Sequence, residues 1–118
     1  MQVISIDSVS KDGSPRPIFE GEVTVQPLVT KGIAENVGLV MVNFSPGSRT
    51  KLHIHTHDQV LLVTSGKGIL ATEDKENVVT PGMLVHVPPG ERHWHGATQD
   101  SPFSHISITS PGETKIVE

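Results

Sequence analysis

The sequence predicts an all-β domain in which many short antiparallel strands form a sandwich or barrel. Three observations carry that prediction. Val and Ile together number 24 against 7 Leu, and β-branched side chains suit a pleated, half-buried surface better than a helix. Eleven Gly and nine Pro punctuate the chain, which leaves few runs long enough for a helix. No segment sustains a 3.6-residue apolar period. At 118 residues the chain is expected to be one domain, spanning residues 1–118, with a genuine core.

The elements follow in order. Residues 1–16 are mixed and polar and read as an edge strand followed by the turn signal KDGSP. GEVTVQPLV and VGLVMVNF are the next strands, ended by the break SPGSR at 45–49. KLHIH and QVLLVT follow, then the glycine turn SGKG and the strand GILATED. After DKEN come NVVTPG, MLVHVPP, GERHWHG and FSHISIT. Short strands at this spacing between Gly and Pro turns are the signature of antiparallel architecture.

Composition excludes several classes of function. Cysteine is absent, so disulfides and thiolate metal sites are out, and any metal must be held by His, carboxylate or amide. A formal charge of −4 with no basic cluster argues against nucleic acid. MQVISIDSVSKDG lacks a basic head and a long apolar stretch, so no signal peptide is expected. Nothing approaches the length of a membrane span. The expectation is a cytoplasmic protein with a small-molecule partner.

Within KLHIHTHDQV, His53 and His55 fall on one strand face, with Leu52, Ile54 and Thr56 on the other. Two imidazoles about 6.5–7 Å apart along one face can lean onto one ion. The same spacing also suits two solvated surface histidines. The surroundings extend the pattern. Gly47, five residues, His53-x-His55, three residues, Gln59, six residues and Gly66 form one block, at about 47–66. Gly82, five residues, Pro88-x-Gly90, two residues and His93 form a second, at about 82–97.

These two blocks resemble the paired motifs of the cupin superfamily, whose fold is a jelly-roll β-barrel of two antiparallel sheets. The resemblance implies a metal site in which the first motif supplies two His and a Glu, and the second supplies a third His. This chain departs from the pattern with Gln59 in place of Glu and Ala97 in place of Asn. PIFEGEVTVQPL, GSRTKLHIH, QVLLVTSGKG, VPPGERHWHGA and FSHISI are similar to a narrower group. These are compact bacterial cupins associated with carboxymuconolactone decarboxylase-like proteins, and they include manganese-dependent hydroxynitrile lyases. That likeness runs from about residue 15 to 109. It departs at Thr109, where the lyases carry Gln, and at the C-terminus.

What the resemblance implies about the site follows residue by residue. His53, His55, Gln59 and His93 are the expected metal ligands; Gln59 acts through its amide oxygen or through a bound water. His105 is the first candidate for moving a proton and His95 the second, while Thr50 would orient a substrate oxygen. His57 is expected in a solvated turn with Asp58 as its hydrogen-bond partner. His86 is read as a hydrogen-bonded structural histidine. Trp94 alternates away from the two histidines beside it, and Phe44 and Phe103 belong to the core or cavity wall.

Three imidazoles and one amide leave a divalent ion its full charge, so it should be a strong Lewis acid. Manganese is the expected ion; Fe, Ni, Zn or Co also suits nitrogen and oxygen ligands. A lyase of the hydroxynitrile lyase kind is the first expectation. An Fe- or Ni-dependent dioxygenase is the second, and a non-catalytic ligand-binding barrel the third. The family likeness also implies a homodimer through an edge strand or sheet face.

Overall fold

Alternating aliphatic strands must bury one face, and here they do so by forming two facing antiparallel sheets. The computed structural model describes residues 1–118. Its strands are β1 (Phe19–Glu20), β2 (Val23–Val29), β3 (Gly38–Phe44), β4 (Arg49–Thr50), β5 (His53–His55), β6 (Gln59–Gly66), β7 (Gly68–Thr72), β8 (Glu76–Val79), β9 (Leu84–Val87), β10 (His93–Ala97), β11 (Phe103–Thr109) and β12 (Thr114–Ile116). One sheet runs β2-β3-β11-β6-β9. In the other, β10 is central, paired with β7 on one side and with both β4 and β5 on the other. Strands β4 and β5 are thus two halves of one bent strand. The result is the all-β jelly roll predicted. No helix is long and apolar enough to cross a membrane.

Facing side chains from both sheets form the core: Val23, Val25, Val42, Phe44, Leu61, Val63, Leu70, Val79, Ala97 and Phe103. Phe44 and Phe103 stack with centroids 5.8 Å apart. Their rings also meet His105, at 5.6 and 5.4 Å. The aromatic core is therefore the floor on which the histidine cluster rests. The SGKG turn works as its glycines require. Gly66 has φ +75°, and a Cβ on Gly68 would lie 2.6 Å from the Phe103 ring.

Two terminal segments differ from expectation. Residues 1–16 do not make an edge strand. Ile6–Ser8 form a 3-10 turn, and a single bridge joins Asp12 to Val25. The reason lies in the turn-forming Ser and Asp residues and in Gln26, a buried side chain on the outer face of β2. Its amide donates to the carbonyls of Ile6 and Val9 at 3.1 and 2.9 Å, tying the segment across that face. At the other end, a strand with no signal in the sequence reading, β12, pairs with β5 in the register Thr114↔His55 and Ile116↔His53.

Candidate metal centre

The site is assembled by strand alternation and cross-strand register. His53 and His55 point inward from β5, and His93 stands directly opposite His53 on β10. The β10 turn is tied to β5 as well: the Gly90 N–H donates to the His55 carbonyl at 2.9 Å, from a residue with φ +79°. Gln59 opens β6 in the facing sheet. All three imidazoles are buried, and one nitrogen from each lies within 4.8 Å of the others. His53, His55 and His93 can therefore hold a metal ion.

The outer nitrogens orient the rings. Nδ1 of His53 donates to the Lys51 carbonyl at 2.7 Å, and Nδ1 of His93 donates to the Glu91 carbonyl at 2.9 Å. A carbonyl only accepts, so Nδ1 bears the proton and Nε2 of each neutral ring is a lone pair turned inward. Nδ1 of His55 meets the Thr114 hydroxyl at 2.8 Å. Burial holds all three rings neutral. It lowers His53 to about 3, helped by the neighbouring His93, and His55 to about 4. His93 is lowered by the same cause, against the raising pull of Glu91.

Gln59 completes the inward set. Its Nε2 donates to Ser107 Oγ at 2.9 Å, so its Oε1 faces the rings. Oε1 lies 3.1 Å from His55 Nε2 and 3.3 Å from His93 Nε2. At His93 two acceptors face each other with no proton between them, an arrangement that repels unless a cation lies there. The residues present thus fit a divalent ion that prefers nitrogen and neutral oxygen.

Beside this set lies a second pair. His105 Nε2 and His95 Nδ1 are 2.9 Å apart, and both residues are buried. His105 Nδ1 has no hydrogen-bond partner. Burial lowers His105 to about 3 and takes His95 well below its ordinary value, with the His105 ring adding to the effect. Thr50 is buried and accepts the His95 backbone N–H at 3.1 Å, fastening β4 to β10. Beside the histidines opens a cavity of about 640 Å³, whose apolar lining includes Phe19, Val25, Val40 and Val42. Its charged residues are Arg16, Lys31 and Glu35, all exposed at the rim.

The other histidines sort as follows. His57 is half-buried rather than solvated. It stacks on His55 at 4.9 Å and lines the cavity, because the loop at Gly112 packs against it. Its partner is the Asp58 carbonyl, at 2.9 Å. The Asp58 carboxylate instead holds the exposed His86, at 2.7 Å. Trp94 turns outward, under the Arg49 guanidinium at 3.7 Å. Two polar partners of the ligands escaped the sequence reading. Ser107 was within reach of strand alternation, as it is two residues beyond His105. Thr114 was not, because only the β12–β5 register brings it to His55.

Fold and site together define a class, the small jelly-roll barrels with an inward-facing histidine metal site. The Cupin domain family matches residues 40–109, and the chain belongs to that family. It is 33% identical to the (R)-mandelonitrile lyase of Granulicella tundricola, over 100% of this chain and 91% of that protein. It is 36% identical over 73 residues to an acireductone dioxygenase of Bacillus pumilus, which covers 56% of this chain and only 42% of that protein. Among solved structures, a cupin-like protein of Thermotoga maritima superposes with a TM-score of 0.84 at 32% identity, covering 99% of this chain and 89% of that one. The polyketide cyclase RemF of Streptomyces resistomycificus reaches 0.90 at 20% identity over 100% and 86%, a likeness of fold alone.

Proposed function

We propose that this chain is a mononuclear metal-dependent lyase that cleaves or forms a carbon–carbon bond next to a hydroxyl or carbonyl carbon, as in a cyanohydrin. The observation that carries this reading is the neutral ligand set. His53, His55, His93 and the Gln59 oxygen converge with no carboxylate among them, beside a buried histidine pair. The full-length likeness to a mandelonitrile lyase supports it. A bound divalent ion, manganese in this reading, would supply Lewis-acid polarisation of a substrate oxygen.

The protein's own residues supply the rest. His105 Nδ1 sits among Phe44 and Phe103 without a partner, and an orphaned N–H there is rarer than an orphaned lone pair. The His105 proton therefore belongs on Nε2, donated to His95 Nδ1. His95 must then carry its own proton on Nε2, which has no protein partner. In this reading His95 meets the substrate and His105 acts through it. In cyanohydrin cleavage the C–CN bond breaks, His95 Nε2–H protonates the departing cyanide, and the hydroxyl proton restores the imidazole. Thr50 lines the same wall and orients the substrate oxygen, while Val25, Val40 and Val42 receive its apolar body.

Manganese-loaded protein is expected to release benzaldehyde and hydrogen cyanide from mandelonitrile. Turnover no greater than in the metal-free control would remove this reaction. Oxygen uptake with iron-loaded protein and an enediol would move the assignment to a dioxygenase. Neither activity, together with a metabolite that raises the melting temperature, would leave a binding module.

We also propose that a second copy of the chain covers the outer face of the β2-β3-β11-β6-β9 sheet. Two cross-strand rows there, Leu39-Ile108-Val60 and Met41-Ile106-Leu62-Leu84, are apolar, and Leu84 is 66% exposed. A two-fold axis would place the same rows against each other. Light scattering is expected to give twice the 12.7 kDa chain mass, and Leu84→Lys to give the monomer. A monomeric wild type contradicts the proposal.

A further inference from the structure

The three ring-orienting contacts at the metal centre are not alike. His53 and His93 are each held by a carbonyl two residues away on their own chain segment. His55 is held from 59 residues away, by the Thr114 hydroxyl at 2.8 Å. The segment that carries Thr114 is fastened to the ligand strand along its whole length. Thr56 N–H donates to the Glu113 carbonyl at 3.0 Å, and Glu113 N–H donates to Thr56 Oγ1 at 2.9 Å. Val117 N–H donates to the Leu52 carbonyl at 3.0 Å, and Leu52 N–H donates to the Glu118 carboxylate at 2.8 Å. The preceding loop lies so close that a Cβ on Gly112 would be 2.5 Å from the His57 ring. On its other side β5 has a single paired residue with β10, His53↔His93. Without β12, the strand that supplies two of the three imidazoles would be a nearly free edge.

We propose that Thr114 is a positioning residue for the metal ligand His55, and that the C-terminal strand β12 is the clamp that carries it. The inference rests on the metal reading above. With a metal on Nε2, the Nδ1–H of His55 donates to Thr114 Oγ1, which sets the ring angle and holds the tautomer that turns the Nε2 lone pair to the ion. A ligand held by a separate chain segment also gives that segment control over metal retention: displacing the C-terminal six residues loosens His55 while leaving the barrel core of Phe44, Leu61 and Phe103 untouched.

The test compares wild type, Thr114→Val and Thr114→Ser by titration with Mn²⁺ and Co²⁺ and by the melting temperature of each metal-free protein. Valine keeps the size and strand preference of threonine, but its methyl group shuts water out of the hydroxyl's place. Thr114→Val is expected to bind metal about tenfold more weakly, with an altered visible spectrum of bound Co²⁺ and a small fall in metal-free melting temperature that serine reverses. Thr114→Ser should restore both affinity and spectrum. Wild-type affinity in Thr114→Val overturns the proposal, and so does a fall in metal-free melting temperature that serine fails to reverse, since that would mark a merely structural role. A wild type that binds no metal overturns the metal reading itself.

Discussion

The His93→Ala protein is expected to bind divalent metal at least about 100-fold more weakly than wild type, beyond what loss of a ring-orienting partner alone produces. His93 is the ligand contributed by the second motif, and it meets His53 at a ring-centroid distance of 4.2 Å. Its removal deletes one of three nitrogens and leaves the Gln59 oxygen facing His55 alone. Metal content after dialysis measures the loss, and circular dichroism checks that the barrel persists. Retention of one ion per chain would exclude His93 as a ligand. Acid should reproduce the loss by another route. His53 and His55 are lowered to about 3 and about 4 in the folded chain, so the folded site stays neutral far below pH 6.5. The unfolded chain takes up those protons near 6.5. Stability is therefore full above about 6.5 and is lost as pH falls towards the depressed values, at up to about 1.4 kcal/mol per pH unit for each such group. Metal release on acidification should coincide with unfolding. Release from a still-folded protein near pH 6 would contradict the burial account.

The second large effect concerns the histidine pair. His95→Gln should reduce lyase turnover by about 10²–10⁴-fold, the usual contribution of a positioned proton donor, with metal stoichiometry unchanged. His105→Phe should also lose turnover, since the tautomer of His95 is no longer fixed. Its stability should change little. The substitution removes a buried nitrogen that has no partner but leaves His95 Nδ1 without the His105 nitrogen it meets at 2.9 Å, and an unsatisfied buried polar atom costs about 1–3 kcal/mol in either protein. The metal-free melting temperature should hold while activity falls. A stability loss with activity intact would mean that His105 is only a core residue.

Most of the barrel was legible because its determinants are local. Val/Ile alternation marks the strands, and left-handed glycines such as Gly66 and Gly90 mark the turns between them. The convergence of His53, His55 and His93 was legible only through the joined spacing of two motifs, since the spacing of either alone fits a solvated strand equally well. Three features were not legible, each for a tertiary reason. The N-terminal segment looked like an edge strand but is drawn into a turn by Gln26, whose contacts lie 17 and 20 residues away. His57 looked solvated because nothing in THD foretells that the Gly112 loop packs over it. Thr114 lies in a short polar stretch without periodicity, and its role exists only through the β12–β5 register.

The central claim is that one ion sits among His53, His55, His93 and the Gln59 oxygen. An anomalous-difference map from crystals soaked in Mn²⁺ tests it most directly. The prediction is a single strong peak per chain, bounded by Nε2 of the three histidines and Oε1 of Gln59, and absent from His93→Ala crystals. A featureless map, or a peak at the exposed Asp58–His86 pair instead, would contradict it.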